Sequence, residues 1–176
     1  AGLTTARFNF RSGLGRGWQS VDDVKFVADH LLHGIEPASD RPSKVLIVGY
    51  SYGSIPAAVV AADIPECIGL AIISPPLSWW ASSALYMGNL GALLARAREA
   101  NGRFPTLLLI GNNDNFCNMA TFNTLVASMA ESQRKAVILP NVDHFDIYTH
   151  VPRELSEWIR AAFGIEDIAQ FAALYE

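Results

Sequence analysis

Cysteine is nearly absent from this sequence: Cys67 and Cys117 are the two thiols among 176 residues. Two are too few for a disulfide framework or for a thiolate metal site. Charge is sparse as well, at 17% of residues, and no run or stripe of Lys and Arg occurs. With 13 basic side chains against 17 acidic ones, the net charge is −4. The electrostatic footprint of a nucleic-acid-binding protein is therefore missing. The apolar runs are far too short for a membrane span. The first residues lack the basic stretch followed by an apolar one that marks a secretory leader. No repeat, low-complexity tract or long Pro/Gly/Ser linker divides the chain, so residues 1–176 read as one domain.

What is present is apolar residues at 51% and aromatics at 10%, enough for a core that stands without staples. Short β-rich runs alternate with helical stretches. Residues 6–10 (ARFNF) read as a strand, followed by the glycine-rich turn RSGLGRG. Ser20 is placed to cap the next helix, with Asp22 and Asp23 in its first turn. That helix carries Val24, Val27 and Leu31 as its apolar stripe and stops at Gly34. Residues 44–50, 68–74, 106–111 and 135–140 read as strands, the first as one buried on both faces. Residues 53–62, 122–130 and 152–163 read as helices, the last opened by Pro152 and ended by Gly164. This alternation predicts an α/β fold, a mostly parallel sheet flanked by helices. The section 75–103 breaks the rhythm and reads as a short lid-like insertion, holding Trp79, Trp80, Leu85, Tyr86 and Met87.

The segment VGYSYGS sets Gly49, Ser51 and Gly53 in a G-x-S-x-G pattern. Composition alone produces that pattern in roughly one chain in twenty of this length. Its context is more specific, because it joins a buried strand to a helix, where a nucleophile elbow belongs. A serine nucleophile needs a base, and the base an orienting acid. After such an elbow the acid precedes the histidine. Asp114 follows the strand TLLLIG in the turn GNNDNF, and His144 follows KAVILP in the turn NVDHFD. Both turns lie at carboxyl ends of parallel strands, where the functional groups of open α/β sheets gather. Turn geometry alone also accounts for an Asp among asparagines. Asp143 and Asp146 flank His144 but are poorly placed to reach its far nitrogen. His30, His33 and His150 read as solvated. The turn 13–17 is G-x-G-x-G rather than G-x-G-x-x-G, and no acidic ribose ligand follows it, so a dinucleotide site is rejected. Walker and H-E-x-x-H motifs are absent. Cys117 has no base paired with it in sequence.

These segments resemble the α/β-hydrolase superfamily, in particular its small serine hydrolases with a minimal lid. RFNFRSGLGRG is similar to their RFNFRGVGRS, GYSYGS to the nucleophile elbow, LLLIGNNDNF to the acid-bearing strand and turn, and LPNVDHF to the histidine segment. The resemblance runs from about Arg7 to Ile159. It implies Ser51 as nucleophile, His144 as general base, Asp114 as orienting acid and the Tyr52 N–H as one oxyanion donor. It also implies hydrolysis of an ester or related acyl bond of a small molecule, without metal or cofactor. Trp79, Trp80, Leu85 and Tyr86 are expected to roof an acyl pocket; core packing or a partner surface accounts for them equally well. A hydrolase-fold binding module without turnover is the alternative. In the family's sheet an earlier strand lies between those matching RFNF and KVLIVGY. The expectation is that a preceding segment or a second chain completes the sheet, or that residues 7–10 pair elsewhere. The preceding part would also carry the second oxyanion donor.

Overall fold

The four apolar runs that read as strands each form one in the computed structural model, which describes residues 3, 5–11, 18–78, 80–81 and 90–165. They are β1 (Val45–Tyr50), β2 (Cys67–Ile73), β3 (Thr106–Gly111) and β4 (Arg134–Leu139). The strands lie side by side in chain order, and every pairing is parallel. Parallel neighbours require long crossovers. These are α2 (Ser54–Ala61), α3 (Leu90–Asn101) and α4 (Met119–Ala127), while α1 (Trp18–Asp29) precedes β1 and α5 (Val151–Phe163) follows β4.

Side chains alternate across each strand, so the sheet has a core on either face. One core gathers Ile47, Leu70 and Ile72 with Val24 of α1, Val60 of α2, Ala97 of α3 and Phe122 of α4. The other gathers Ala71, Ile73, Leu107 and Leu109 with Leu155, Trp158 and Ile159 of α5. At Gly69 a Cβ would come within 2.7 Å of the Phe163 ring, so the missing side chain lets α5 settle on β2. α5 ends where the sequence predicts: Gly164 takes a left-handed φ of 65°, which glycine adopts without steric cost.

The structure corrects four readings. Residues 5–11 form no strand. Alternation reports an extended, half-buried segment, not the presence of a partner to pair with. Side chains tie this segment down instead. Phe10 packs into the first core and edge-on to Tyr52 with centroids 5.5 Å apart, and Arg11 meets Asp23 at 2.5 Å. Ser20 is not a cap, because α1 already starts at Trp18; the Ser20 hydroxyl lies 2.9 Å from that of Tyr52. With the earlier start the buried stripe is Val21, Val24, Ala28 and Leu32, with Val27 and Leu31 only half-buried. β1 is not buried on both faces: among the described residues it is an edge strand, as is β4, and Val48 is 41% exposed.

Within 75–103, α3 buries Ala97 and Ala100 in the core. Trp79, Leu85, Tyr86, Met87 and the glycine-rich turn 13–17 lie outside the described residues.

Candidate active site

β1 delivers the chain to Ser51, whose φ of 50° lies in the left-handed region. A non-glycine residue is held there at a cost of order 1–2 kcal/mol. One 3₁₀ turn, Ser51–Gly53, then leads into α2. So tight a joint depends on Gly49, where a Cβ would sit 2.5 Å from both the Gly53 carbonyl oxygen and the Ser54 Cα. Gly53 is different: its φ is −62°, and a Cβ would meet nothing closer than the Phe10 ring at 3.5 Å. The Ser54 hydroxyl donates to the Ser51 carbonyl at 2.6 Å and closes the turn.

Asp114 follows β3 and is buried. Its Oδ1 accepts from the backbone N–H groups of Phe116 at 2.8 Å and Cys117 at 3.2 Å. Its Oδ2 lies 2.8 Å from His144 Nδ1, and His144 Nε2 lies 2.8 Å from Ser51 Oγ. The imidazole is only 3% exposed. A carboxylate on Nδ1 holds the proton there and leaves the Nε2 lone pair facing the serine hydroxyl. That arrangement can take the serine proton as the oxygen attacks a carbon or phosphorus centre. Asp143 stays out of it: its Oδ1 accepts from the N–H groups of Phe145 and Asp146 at 2.8 and 2.7 Å and closes the histidine turn.

The acid and histidine loops are laced together. Asn112 N–H donates to the Leu139 carbonyl at 2.9 Å, and Asn113 N–H donates to the Val142 carbonyl at 3.0 Å. Asn112 Oδ1 accepts from Asn141 N–H at 2.7 Å. Asn141 has a φ of 61°, a conformation asparagine tolerates better than most residues. Gly111 lies so close to the histidine loop that a Cβ would fall 2.1 Å from the Val142 carbonyl oxygen.

Aromatic rings pack around the imidazole. Phe116 is tilted against it at 4.2 Å between centroids, Tyr50 stacks at 5.6 Å and Phe145 meets it edge-on at 5.3 Å. Trp80 packs on Phe116 at 4.9 Å, which puts it one ring away from His144. The Tyr50 hydroxyl donates to the His144 carbonyl at 2.8 Å. Burial, with Asp114 and Asp143 nearby, raises the Tyr50 phenol above its ordinary range and keeps it a neutral donor. Burial also pushes the Cys117 thiol up to about 12, with Asp114 adding to the effect; such a thiol holds almost no thiolate near neutral pH.

Ser51, His144 and Asp114 thus meet as the sequence predicts, and Trp80 comes close to them. Tyr52 is the middle residue of the 3₁₀ turn Ser51–Gly53, while its side chain is engaged with Ser20 and Phe10. Tyr50, Phe116 and Asn112 escape the sequence reading although they lie inside its motifs. Their partners are distant in the chain, and the Asn-rich turn looks like ordinary turn chemistry. A cavity of about 170 Å³, lined by Lys25, Asp29, His33, Asp63 and Glu66 among others, contains none of these residues; its Asp63–Glu66 wall immediately precedes β2.

No protein-family model and no curated protein matches the chain. Solved structures do. The chain is similar to the esterase domain of a Rhodothermus marinus protein, with 22% identity and a TM-score of 0.65, over 88% of this chain and 72% of that one. It is similar to a protein of unknown function from Agrobacterium tumefaciens, described as a candidate alpha/beta hydrolase. There the identity is 19% and the TM-score 0.67, over 90% of this chain and 70% of that one. A third is a lidless alpha/beta serine hydrolase of Xanthomonas campestris, with 21% identity and a TM-score of 0.62, over 88% of this chain and 65% of that one. At such identities the likeness is one of fold.

Proposed function

We propose that this chain, which has the α/β-hydrolase fold, is a serine hydrolase that cleaves ester or related acyl bonds of small molecules. One observation carries the reading: two hydrogen bonds of 2.8 Å run from Ser51 Oγ through the His144 imidazole to a buried Asp114. The similarity in fold to structures described as esterases and serine hydrolases supports it.

On this reading Ser51 Oγ bonds to the carbonyl carbon as its proton passes to His144 Nε2. The Tyr52 N–H, within the 3₁₀ turn, donates to the oxyanion. The bond to the leaving oxygen then breaks and Nε2 returns the proton to it, leaving an acyl-enzyme. Water, deprotonated by the same nitrogen, releases the acid and restores Ser51. Trp80, with Trp79, Leu85 and Tyr86, lines the acyl side within a lid-like part of 75–103 and favours apolar or aromatic acyl groups. The 176 residues act as one domain.

A fluorophosphonate label tests the reading. Ser51 Oγ bonds to phosphorus, fluoride leaves, and the proton goes to His144. The expected result is one label on the Ser51 peptide, lost in Ser51→Ala and slowed by orders of magnitude in His144→Ala. A folded chain that takes no label would overturn it in favour of a binding module on the same fold.

A further inference from the structure

We infer that Tyr50 is a positioning residue for the general base, holding His144 in place during the half of the reaction in which Ser51 cannot. The inference rests on the serine hydrolase reading. Asp114 fixes the imidazole at one nitrogen, but Asp114 and His144 sit on loops bonded to each other through Asn112 and Asn113, with the acid loop tied outward by the Phe116 carbonyl accepting from Ser78 N–H at 2.9 Å. They could shift together relative to the nucleophile. Among the described residues, two hydrogen bonds cross from the β1 end to the histidine loop. One is Ser51 Oγ to His144 Nε2, and the other runs from the Tyr50 hydroxyl to the His144 carbonyl, each 2.8 Å.

The first of these is interrupted by the chemistry. Once Ser51 Oγ is esterified it has no proton to donate, and its bond to Nε2 is gone. Deacylation then requires His144 to remain where it can deprotonate water attacking the ester on Ser51. The Tyr50 tie survives acylation, since it uses the backbone oxygen of His144 and leaves both imidazole nitrogens free. Its ring, stacked at 5.6 Å on the imidazole, limits tilting. Tyr50 also directly precedes the nucleophile in the chain, so the tie measures base position against Ser51 itself.

Pre-steady-state hydrolysis of p-nitrophenyl acetate separates the two halves, acylation as a burst and deacylation as the slower phase. Tyr50→Phe keeps the ring and removes the donor. It should slow deacylation about three- to tenfold, the worth of one neutral hydrogen bond, with a smaller change in the burst rate; because deacylation limits turnover, KM falls in step and kcat/KM changes little. Tyr50→Leu, which also loses the ring, should be slower still, with Phe as the partial rescue. Equal slowing of both phases, an unchanged deacylation rate or a rise in KM alone would overturn the inference. Proton exchange supplies a readout that needs no turnover. The His144 Nδ1–H, followed by NMR, should exchange faster with water in Tyr50→Phe than in the wild type; equal exchange would also overturn the inference. Absence of any burst in the wild type would count against the serine hydrolase reading, and the exchange measurement would still decide the role of Tyr50.

Discussion

Asp114 and Asp143 carry the same side chain, and each uses Oδ1 to close a turn by accepting two backbone N–H groups. Their second oxygens set them apart, since Oδ2 of Asp114 lies 2.8 Å from His144 Nδ1. Asp114 therefore does two jobs, and the turn chemistry that made it look ordinary in the sequence is real. An Asn at 114 keeps an acceptor for the turn but presents an NH₂ to Nδ1, which must then accept, so that Nε2 carries the proton and has no lone pair for the Ser51 hydroxyl. Asp114→Asn should lower p-nitrophenyl acetate turnover by roughly 10⁴-fold, while Asp143→Asn stays within a few-fold of wild type. The opposite ranking would make Asp143 the acid. The three residues were legible because each occupies the turn after a parallel strand, in an order that one known site geometry uses. Tyr50 was not legible. Its hydrogen bond spans 94 residues, and no local pattern encodes a contact of that range.

Elements were legible wherever a buried run was long enough to show its period. β3 keeps the bounds the sequence suggests, and the other three strands move by a residue or so at their ends. The misreading at 6–10 has a physical cause: side-chain alternation is a property of the segment, whereas pairing is a property of what lies beside it. Close packing between elements is equally silent in the sequence. Gly111 at the end of β3 is a case in point, because its contact is with the histidine loop and not with its own neighbours. Gly111→Ala would drive a methyl into the Val142 carbonyl, 2.1 Å from the Cβ position. The loop must move, so His144 moves with it. We expect a loss of about 1–3 kcal/mol in urea unfolding and at least a hundredfold loss of esterase activity, larger than the stability change alone would give. Activity near wild type would show that the two loops can slide without disturbing the site.

Among the described residues the sheet is covered unevenly. Helices α1 to α4 contribute to one core, whereas α5 is the helix packed into the other. A helix about 10 Å across covers roughly two strand spacings of ~4.8 Å, so α5 cannot shield all four strands. β1 records the difference within two residues. Ile47 points into the first core at 9% exposure, and Val48, its neighbour on the opposite face, is 41% exposed. Ile47→Ala should cost about 2–5 kcal/mol in urea unfolding, and Val48→Thr about 0.5 kcal/mol or less. A large loss at Val48 would mean that this face is covered in solution.

The two glycines that flank Ser51 have unequal duties. Gly49 leaves no room for a methyl group, whereas at Gly53 an added Cβ would find only an ordinary contact with Phe10. The rule this backbone enforces is thus narrower on one side of the serine and wider on the other than the five-letter pattern suggests. A search that demands both glycines would discard chains able to fold the same turn with alanine in the second place. A search that relaxes the first would admit chains that cannot fold it at all.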